Sequence, residues 1–583
     1  MVSPAMSSTR RLALLMALAS TACGAAQRAE THAGSPSRPV AQFPEQARVT
    51  QVVEAGPPPA LGPLLPRGEL HVDRWEMQAE PAPGDPAYEP EGPFEPLLDA
   101  AASQRGVSVT RSASLRCVAQ EMARFYAMHE ALPTERLSRY LLAACGTNAI
   151  SVGRAGSRGE LDPRATPEML VREAGDSLRD ALAPVLIDGA QVGLGFAREG
   201  ANVSLMVVVA EPSVRLEPPA PPDAAGDVIV RGQLVARADG LLALVNQGEH
   251  GVARCRVNPT LALPAFELRC PLAEGDDTAI AHLATFSVGR VLTRHVGTAL
   301  LRRASDTPVP PYAPTPVGEP SPITAPDSAA ATFVERLNAV RAAAGLAPVE
   351  LAAEQTRTQQ VVAPHLLGAL LQDEQDSQDT LALGLMAGWD VRGGTIRWAD
   401  IVGHTVVGNR DVAWWLSDAL EQPGSRYVLL RDDVRQVAVG ATPVADPEAL
   451  GLVVSTYAFF EDSDFDAAAS RFFDRVTDAR VAAGLPPPRR VGGLERVWAE
   501  VRTVSAGRSH ANAAFQRALN GESQAQRRSL QGVMLETVDL DLGDLPEVIM
   551  ARRDLALGVA VGYTRAPGAA WGQYVVFLVF PAS

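Results

Sequence analysis

The chain has 583 residues, a length that calls for several hydrophobic cores rather than one. Hydrophobic residues make up 46% and charged residues 20%, the balance of a globular protein, while the 46 prolines gather in clusters as linkers do. The net charge is -15, every one of the 52 cationic residues is arginine, and no basic stretch is present, so nucleic acid is excluded as a partner.

Arg10 and Arg11 open a short positive region, and Leu12 to Ala19 follow as an apolar run too short to span a bilayer. Ser20-Thr21-Ala22-Cys23 then places a small residue before cysteine, similar to a bacterial lipobox. Ser20 stands where that motif usually has leucine, and Leu18 lies two residues earlier. Residues 1–23 are therefore expected to be a lipoprotein signal peptide, with Cys23 the lipidated residue. The alternative is a plain cleaved leader in which Cys23 is incidental. Several acyl chains on one residue would hold firmly, since each buried methylene is worth about 0.8 kcal/mol. No later stretch has the roughly 20 apolar residues of a membrane helix. The expected location is the cell envelope, exported and lipid-anchored to a membrane, the outer membrane being favoured.

Residues 24–91 are rich in Ala, Pro, Gly and Glu without sustained periodicity and read as a flexible tether. Four cysteines follow, Cys117, Cys145, Cys255 and Cys270, and allow three pairings. Pairing Cys117 with Cys145 and Cys255 with Cys270 keeps each bridge inside one candidate domain and suits an oxidising compartment. No pair has the C-x-x-C spacing of a zinc or redox site.

Two further Pro-rich breaks, Glu211 to Asp223 and Thr307 to Pro326, read as linkers, the second spanning 305–327. Between them, 225–304 carries short apolar or alternating runs such as Val228-Ile229-Val230, Leu241 to Val245 and Phe266 to Leu272. Turn residues separate the runs, which predicts a small antiparallel β-sandwich.

The remaining segments, 92–211, 328–461 and 466–583, read as copies of one design. Phe333 to Pro348 and Phe472 to Pro487 lie at a constant offset of 139 and share Phe, Arg, Arg, Ala, Ala, Gly, Leu and Pro. Apolar positions recur every three to four residues, so each is an amphipathic helix stopped by glycine, Gly345 or Gly484. A fainter copy runs from Phe94 to Val109, with Gly106-Val107 in place of Gly-Leu. Val192-Gly-Leu-Gly195, Val437-Ala-Val-Gly440 and Leu555-Ala-Leu-Gly558 each lead into a closing β pattern. Helices first and a strand pair last, three times over, is an α+β repeat.

The second copy resembles the CAP superfamily of cysteine-rich secretory, antigen-five and pathogenesis-related proteins. Arg341 to Leu346 match its R-x-x-x-G-L helix end, and Gly403-His404-Thr405 falls at its G-E-N box. Val412 to Leu420 with Trp414 and Trp415 matches the following helix. Pro423-Gly424-Ser425-Arg426 falls at P-G-H-R, and Val437 to Gly440 at V-G-V-G. The resemblance implies repeated α-β-α sandwich modules, degenerate in sequence, with the all-β sandwich inserted among them.

The family's groove gathers histidines and glutamates that can bind a divalent metal. Here His404 replaces the glutamate, Ser425 replaces the P-G-H-R histidine, and no histidine lies between about Gln372 and Arg397. The third copy has Gly543 at the P-G-H-R histidine position, and the first has Leu178 or Asp180. One histidine and a serine do not supply three or four zinc ligands, and paired acid–base groups are missing as well. The candidate groove residues are therefore His404, Trp414, Ser425 and Arg426, with no catalytic residue, metal or other cofactor expected. Of Trp414 and Trp415, which face two ways on one helix, one is expected in the core and the other at the groove or a domain contact. Gly193 to Gly200 has a passing likeness to a dinucleotide loop, but the β pattern after it predicts a strand and turn.

The expected role is a non-enzymatic binding or interaction protein whose partner is a lipid, a peptide or an envelope protein, with the membrane engaged through the anchor. The alternatives are a hydrolase assembled from groups such as His365, His404 and His510, and a purely structural envelope spacer.

Overall fold

A computed structural model describes residues 44–582 except 56–60, 66–67, 84–85, 163, 219, 221, 224–225, 249–250, 259, 288–289, 291, 305, 315–316, 324, 388–394, 461–463, 538–539, 541–544 and 566–570. The segment 1–23 expected to be a signal peptide, with Cys23, lies outside the described residues, as does Gly543.

Helix α1 (Pro44–Glu54) and the short strand β1 (Glu69–Leu70) precede the first α+β unit. That unit runs α2 (Glu95–Arg105), β2 (Thr110–Arg111), α3 (Ala113–His129), β3 (Leu132–Pro133), α4 (Glu135–Ala144), β4 (Gly153–Glu160), α5 (Pro167–Leu182), β5 (Gln191–Glu199) and β6 (Asn202–Ala210). A β-domain follows, with β7 (Val214–Leu216), β8 (Val228–Leu234), β9 (Gly240–Asn246), β10 (Val252–Arg254), β11 (Arg256–Val257), β12 (Ala265–Cys270), β13 (Thr278–Phe286) and β14 (Arg294–Arg302). The middle unit comprises α6 (Pro326–Ala343), β15 (Glu350–Leu351), α7 (Ala353–Gln372), α8 (Gln375–Met386), β16 (Ile396–Val407), α9 (Val412–Glu421), α10 (Pro423–Leu429), β17 (Gln436–Ala445) and β18 (Glu448–Phe459). The last unit has α11 (Asp464–Ala482), β19 (Arg489–Arg490), α12 (Glu495–Ser505), α13 (Ala511–Gln526), β20 (Leu530–Thr537), α14 (Glu547–Ala551), β21 (Ala556–Thr564) and β22 (Gln573–Pro581).

The three α+β units share one connectivity. Their sheets run β2-β5-β6-β4, β15-β17-β18-β16 and β19-β21-β22-β20. In each, the short first strand pairs parallel to a neighbour that is otherwise antiparallel in its hairpin. Helices cover both faces. In the middle unit α6, α9 and α10 bury one face, while α7 and α8 bury the other. Amphipathic helices on both sides of a sheet remove its two apolar faces from water, which drives the layering.

Local chemistry explains the repeated motifs. At the end of α6, Gly345 has φ 70° and Leu346 N donates to Arg341 O at 2.8 Å. Gly484 and Leu485 do the same at the end of α11, and Gly106 and Val107 at the end of α2. This is a left-handed helix stop that glycine adopts without penalty. The later glycine lets helix and sheet approach. A Cβ on Gly440 would lie 2.3 Å from Gln359 O of α7, and one on Gly195 would lie 2.2 Å from the Ala119 backbone of α3. Gln360 and Gln120 then clasp the backbone of the next strand residue, Ala441 and Phe196. Gly193 to Gly200 is strand β5 and its turn into β6, as the β pattern predicted.

The β-domain packs β10-β9-β13-β14 against β11-β12-β8-β7 around one apolar core. Both disulfides take the favoured pairing, Cys117–Cys145 between α3 and the residue after α4, and Cys255–Cys270 within the sandwich.

Three segments expected to be linkers are structured. Strand β7 lies inside 211–223, so the sandwich starts ahead of residue 225. Within 24–91, α1 packs on α7 and α8 with Val49 and Val52 buried, and Trp75 is buried against the first unit. Trp75 also bridges to Tyr312 of the segment 305–327, whose Ile323 joins the middle core. Proline lowers the entropy lost when such a segment docks, and the isolated apolar side chains among the prolines supply the contact.

Candidate functional site

His404 sits on β16 opposite Leu452, with its side chain fully buried toward α9. Its ring stacks on Trp415, centroids 4.2 Å apart, and Trp415 Nε1 donates to His404 O at 3.0 Å. His404 Nε2 lies 2.9 Å from Asp418 Oδ2, and Nδ1 has no partner. Burial pushes the His404 imidazole down, against the pull of the Asp418 carboxylate.

Asp418 faces outward from the middle unit and meets cations supplied by the first. Arg139 pairs with it at 2.5 Å, and Arg136 Nε lies 3.7 Å away. Arg136 also donates to Ser417 Oγ at 2.8 Å and forks onto Glu421. Burial works to raise the Asp418 carboxyl, but Arg139, His404 and Arg136 outweigh it and hold the group well below the usual range. For Glu421 burial wins, and its carboxyl rises despite Arg136.

Trp414, on the same helix, is clamped between two other segments. Arg136 lies 4.4 Å over its ring, and His71 meets it edge-on at 3.8 Å. Trp415 is wholly in the core. The expected division of the pair into one core ring and one domain contact is what the fold makes of them. Ser425 is fully buried in α10, and its Oγ has no partner. Arg426 reaches Gly248 O in the β-domain, while Asn246 Nδ2 of that domain donates to Glu421 O at 3.1 Å.

The four candidate groove residues thus lie in one neighbourhood, but two are core groups and two are contacts to other parts of the chain. Helix α4 and the β9–β10 turn cover this face. The histidines weighed for a hydrolase do not meet: His404 faces α9, His365 on α7 feels Arg48 of α1, and His510 precedes α13. Among the described residues, no group of three or more His, Cys, Asp or Glu is placed to hold a metal ion. None of the helices described there is long and apolar enough to cross a membrane.

Sequence reasoning missed Arg136, Arg139, Asp418 and Glu421. Their signal was present, since Arg136/Arg139 and Asp418/Glu421 are two spacings of three on helices, which put each like-charged pair on one helix face.

No protein-family model matches the sequence, and a search of curated proteins finds no match. Among solved structures, the chain is similar to a cysteine-rich secretory protein from Staphylococcus aureus at 11% identity and a TM-score of 0.16, covering 42% of this chain and 66% of that one. It is also similar to an extracellular protein containing an SCP domain from Bacillus anthracis, at 13% identity and a TM-score of 0.16, covering 43% of this chain and 89% of the other. The mixed α+β architecture described above stands on this chain's own strand order and layers.

Proposed function

We propose that this is an exported cell-envelope lipoprotein, anchored through Cys23, in which degenerate CAP-like modules serve interaction rather than chemistry. One observation carries the reading. His404, at the family's glutamate position, is a fully buried side chain tied to Asp418 and covered by Arg136 and Arg139 of another unit. A catalytic histidine needs access to substrate and a pKa near working pH, and burial here works against both. The groove face of the middle module acts as a socket for its neighbours. Recognition of a lipid, a peptide or an envelope protein then falls to the outer modules. The first has a cavity of about 460 Å³ beside Phe94, Arg116 and Phe196, and the third one of about 470 Å³ beside Phe473, Trp498 and Arg502.

The same sealed socket favours a second reading, an envelope spacer whose modules hold a fixed shape. Elemental analysis of the purified, lipidated protein tests the shared premise, with substoichiometric zinc, manganese and calcium expected. A tightly held divalent ion at one per chain would overturn it. Ligand capture from extracted envelope lipids and peptides separates the two readings, since the spacer retains neither.

A further inference from the structure

The junction between the first unit, the β-domain and the middle unit carries a feature that neither binding nor spacing explains. His282 on β13 and His295 on β14 stack with their rings 4.9 Å apart and nearly parallel, at 1°. Both are densely surrounded although each keeps some contact with solvent. Arg139 is close enough to act as a charge on each of them, and also on His404. Helix α4 therefore brings one guanidinium to three imidazoles from two other domains.

At neutral pH the charges of this junction balance. Arg136 and Arg139 face Asp418 and Glu421, and the imidazoles are uncharged. His71, which borders Trp414 on the strap carrying β1, has Asp73 as its own carboxylate partner at 3.0 Å. Tyr312 lies within reach of Arg136 and Asp418 and is held neutral by burial. Protonated His404 would have Asp418 beside it. The stacked pair has a weaker position, because Arg139 is the charge that faces it and Asp418 is already committed to Arg139 and His404. His295 Nε2 meets Gly297 O at 2.8 Å, which ties one nitrogen of the pair to the backbone.

We propose that this junction is an acid-released latch: protonation of His282 and His295 beside Arg139 drives α4 of the first unit away from the β-domain and the middle unit. This inference stands on the junction alone, independent of the CAP-like reading and of the anchor. Two stacked imidazolium ions next to a guanidinium repel each other and their neighbour, and separation returns all three to water. Folding within each unit is untouched, since each has its own core.

The test is small-angle scattering of the full chain as pH falls through the window from 6.5 to about 4 that His295 sets. Wild type is expected to show a reversible rise in radius of gyration while its circular dichroism stays constant. His282→Gln/His295→Gln should lose that rise. Should the double variant fail to fold, His295→Gln alone is expected to move the midpoint to lower pH. A wild type that stays compact across the window, an expansion accompanied by loss of secondary structure, or a variant that opens at the wild-type midpoint would each overturn the latch.

Discussion

Arg341 and Arg480 show what a single side chain contributes to this architecture. Each is fully buried at the same place in its unit. Arg341 donates to Ala347 O, Leu429 O and Arg431 O, and Arg480 to Pro486 O, Ile549 O, Arg552 O and Arg553 O. A planar guanidinium has enough donors to close the helix end and the loop before the second long strand of the unit, β17 or β21, at once. The first unit has Ala102 at this place and forgoes the device. Replacing Arg341 with Met should cost the middle unit about 3 kcal/mol, because three carbonyls lose their donor in a buried setting. Denaturant unfolding followed through the tryptophan fluorescence of that unit checks it, and a loss below about 1 kcal/mol would mean that the carbonyls find other donors.

At the scale of elements, docked segments decide the shape. Glu121 of α3 is buried and accepts from Trp75 Nε1 at 2.8 Å, Gln78 N at 2.6 Å and Ala79 N at 2.7 Å, with Arg124 beside it at 2.8 Å. One carboxylate on a rigid helix thereby fixes a proline-rich strap that has no sheet or helix over these residues. Glu121→Gln turns one acceptor into a donor facing other donors, and should weaken strap docking by about 3 kcal/mol. Faster tryptic cleavage after Arg74 is the expected result, whereas Glu89→Gln, an exposed control, should leave the rate unchanged. Equal rates for Glu121→Gln and wild type would show that the Trp75–Tyr312 contact holds the strap unaided.

For the molecule as a whole, the Arg136/Arg139–Asp418/Glu421 contact joins units that are far apart in sequence. Asp418→Asn should open it at neutral pH, since it leaves the largely covered Arg139 without its anion, a loss of about 2–3 kcal/mol. The measurement is the radius of gyration at pH 7.5, where an increase is expected without acid. A compact Asp418→Asn protein would show that the docked surfaces, rather than the charges, hold the units together. Because Arg139 and Asp418 are little exposed, added salt should reproduce only a small part of the effect.

Much of this was legible in the chain itself. The helix stops at Gly345 and Gly484 and the closing strand pairs follow from local rules of backbone freedom and periodicity, and the favoured disulfide pairing from domain bounds, whereas the close approach at Gly440 came only with the packed helix α7. The parallel short strands β2, β15 and β19 escaped notice because two residues carry no period. The proline-rich segments read as a tether and linkers because composition alone does not record that Trp75, Tyr312 and Ile323 find pockets elsewhere. His404 and Ser425 could be marked from the sequence as candidate groove residues, yet their burial depended on which surface covers them. That surface is α4 and the β9–β10 turn, and contacts between distant units depend on how cores dock in space. Local sequence thus determined the repeated α+β elements, while tertiary structure alone decided that the face holding His404 and Ser425 would be closed by the chain's own arginines.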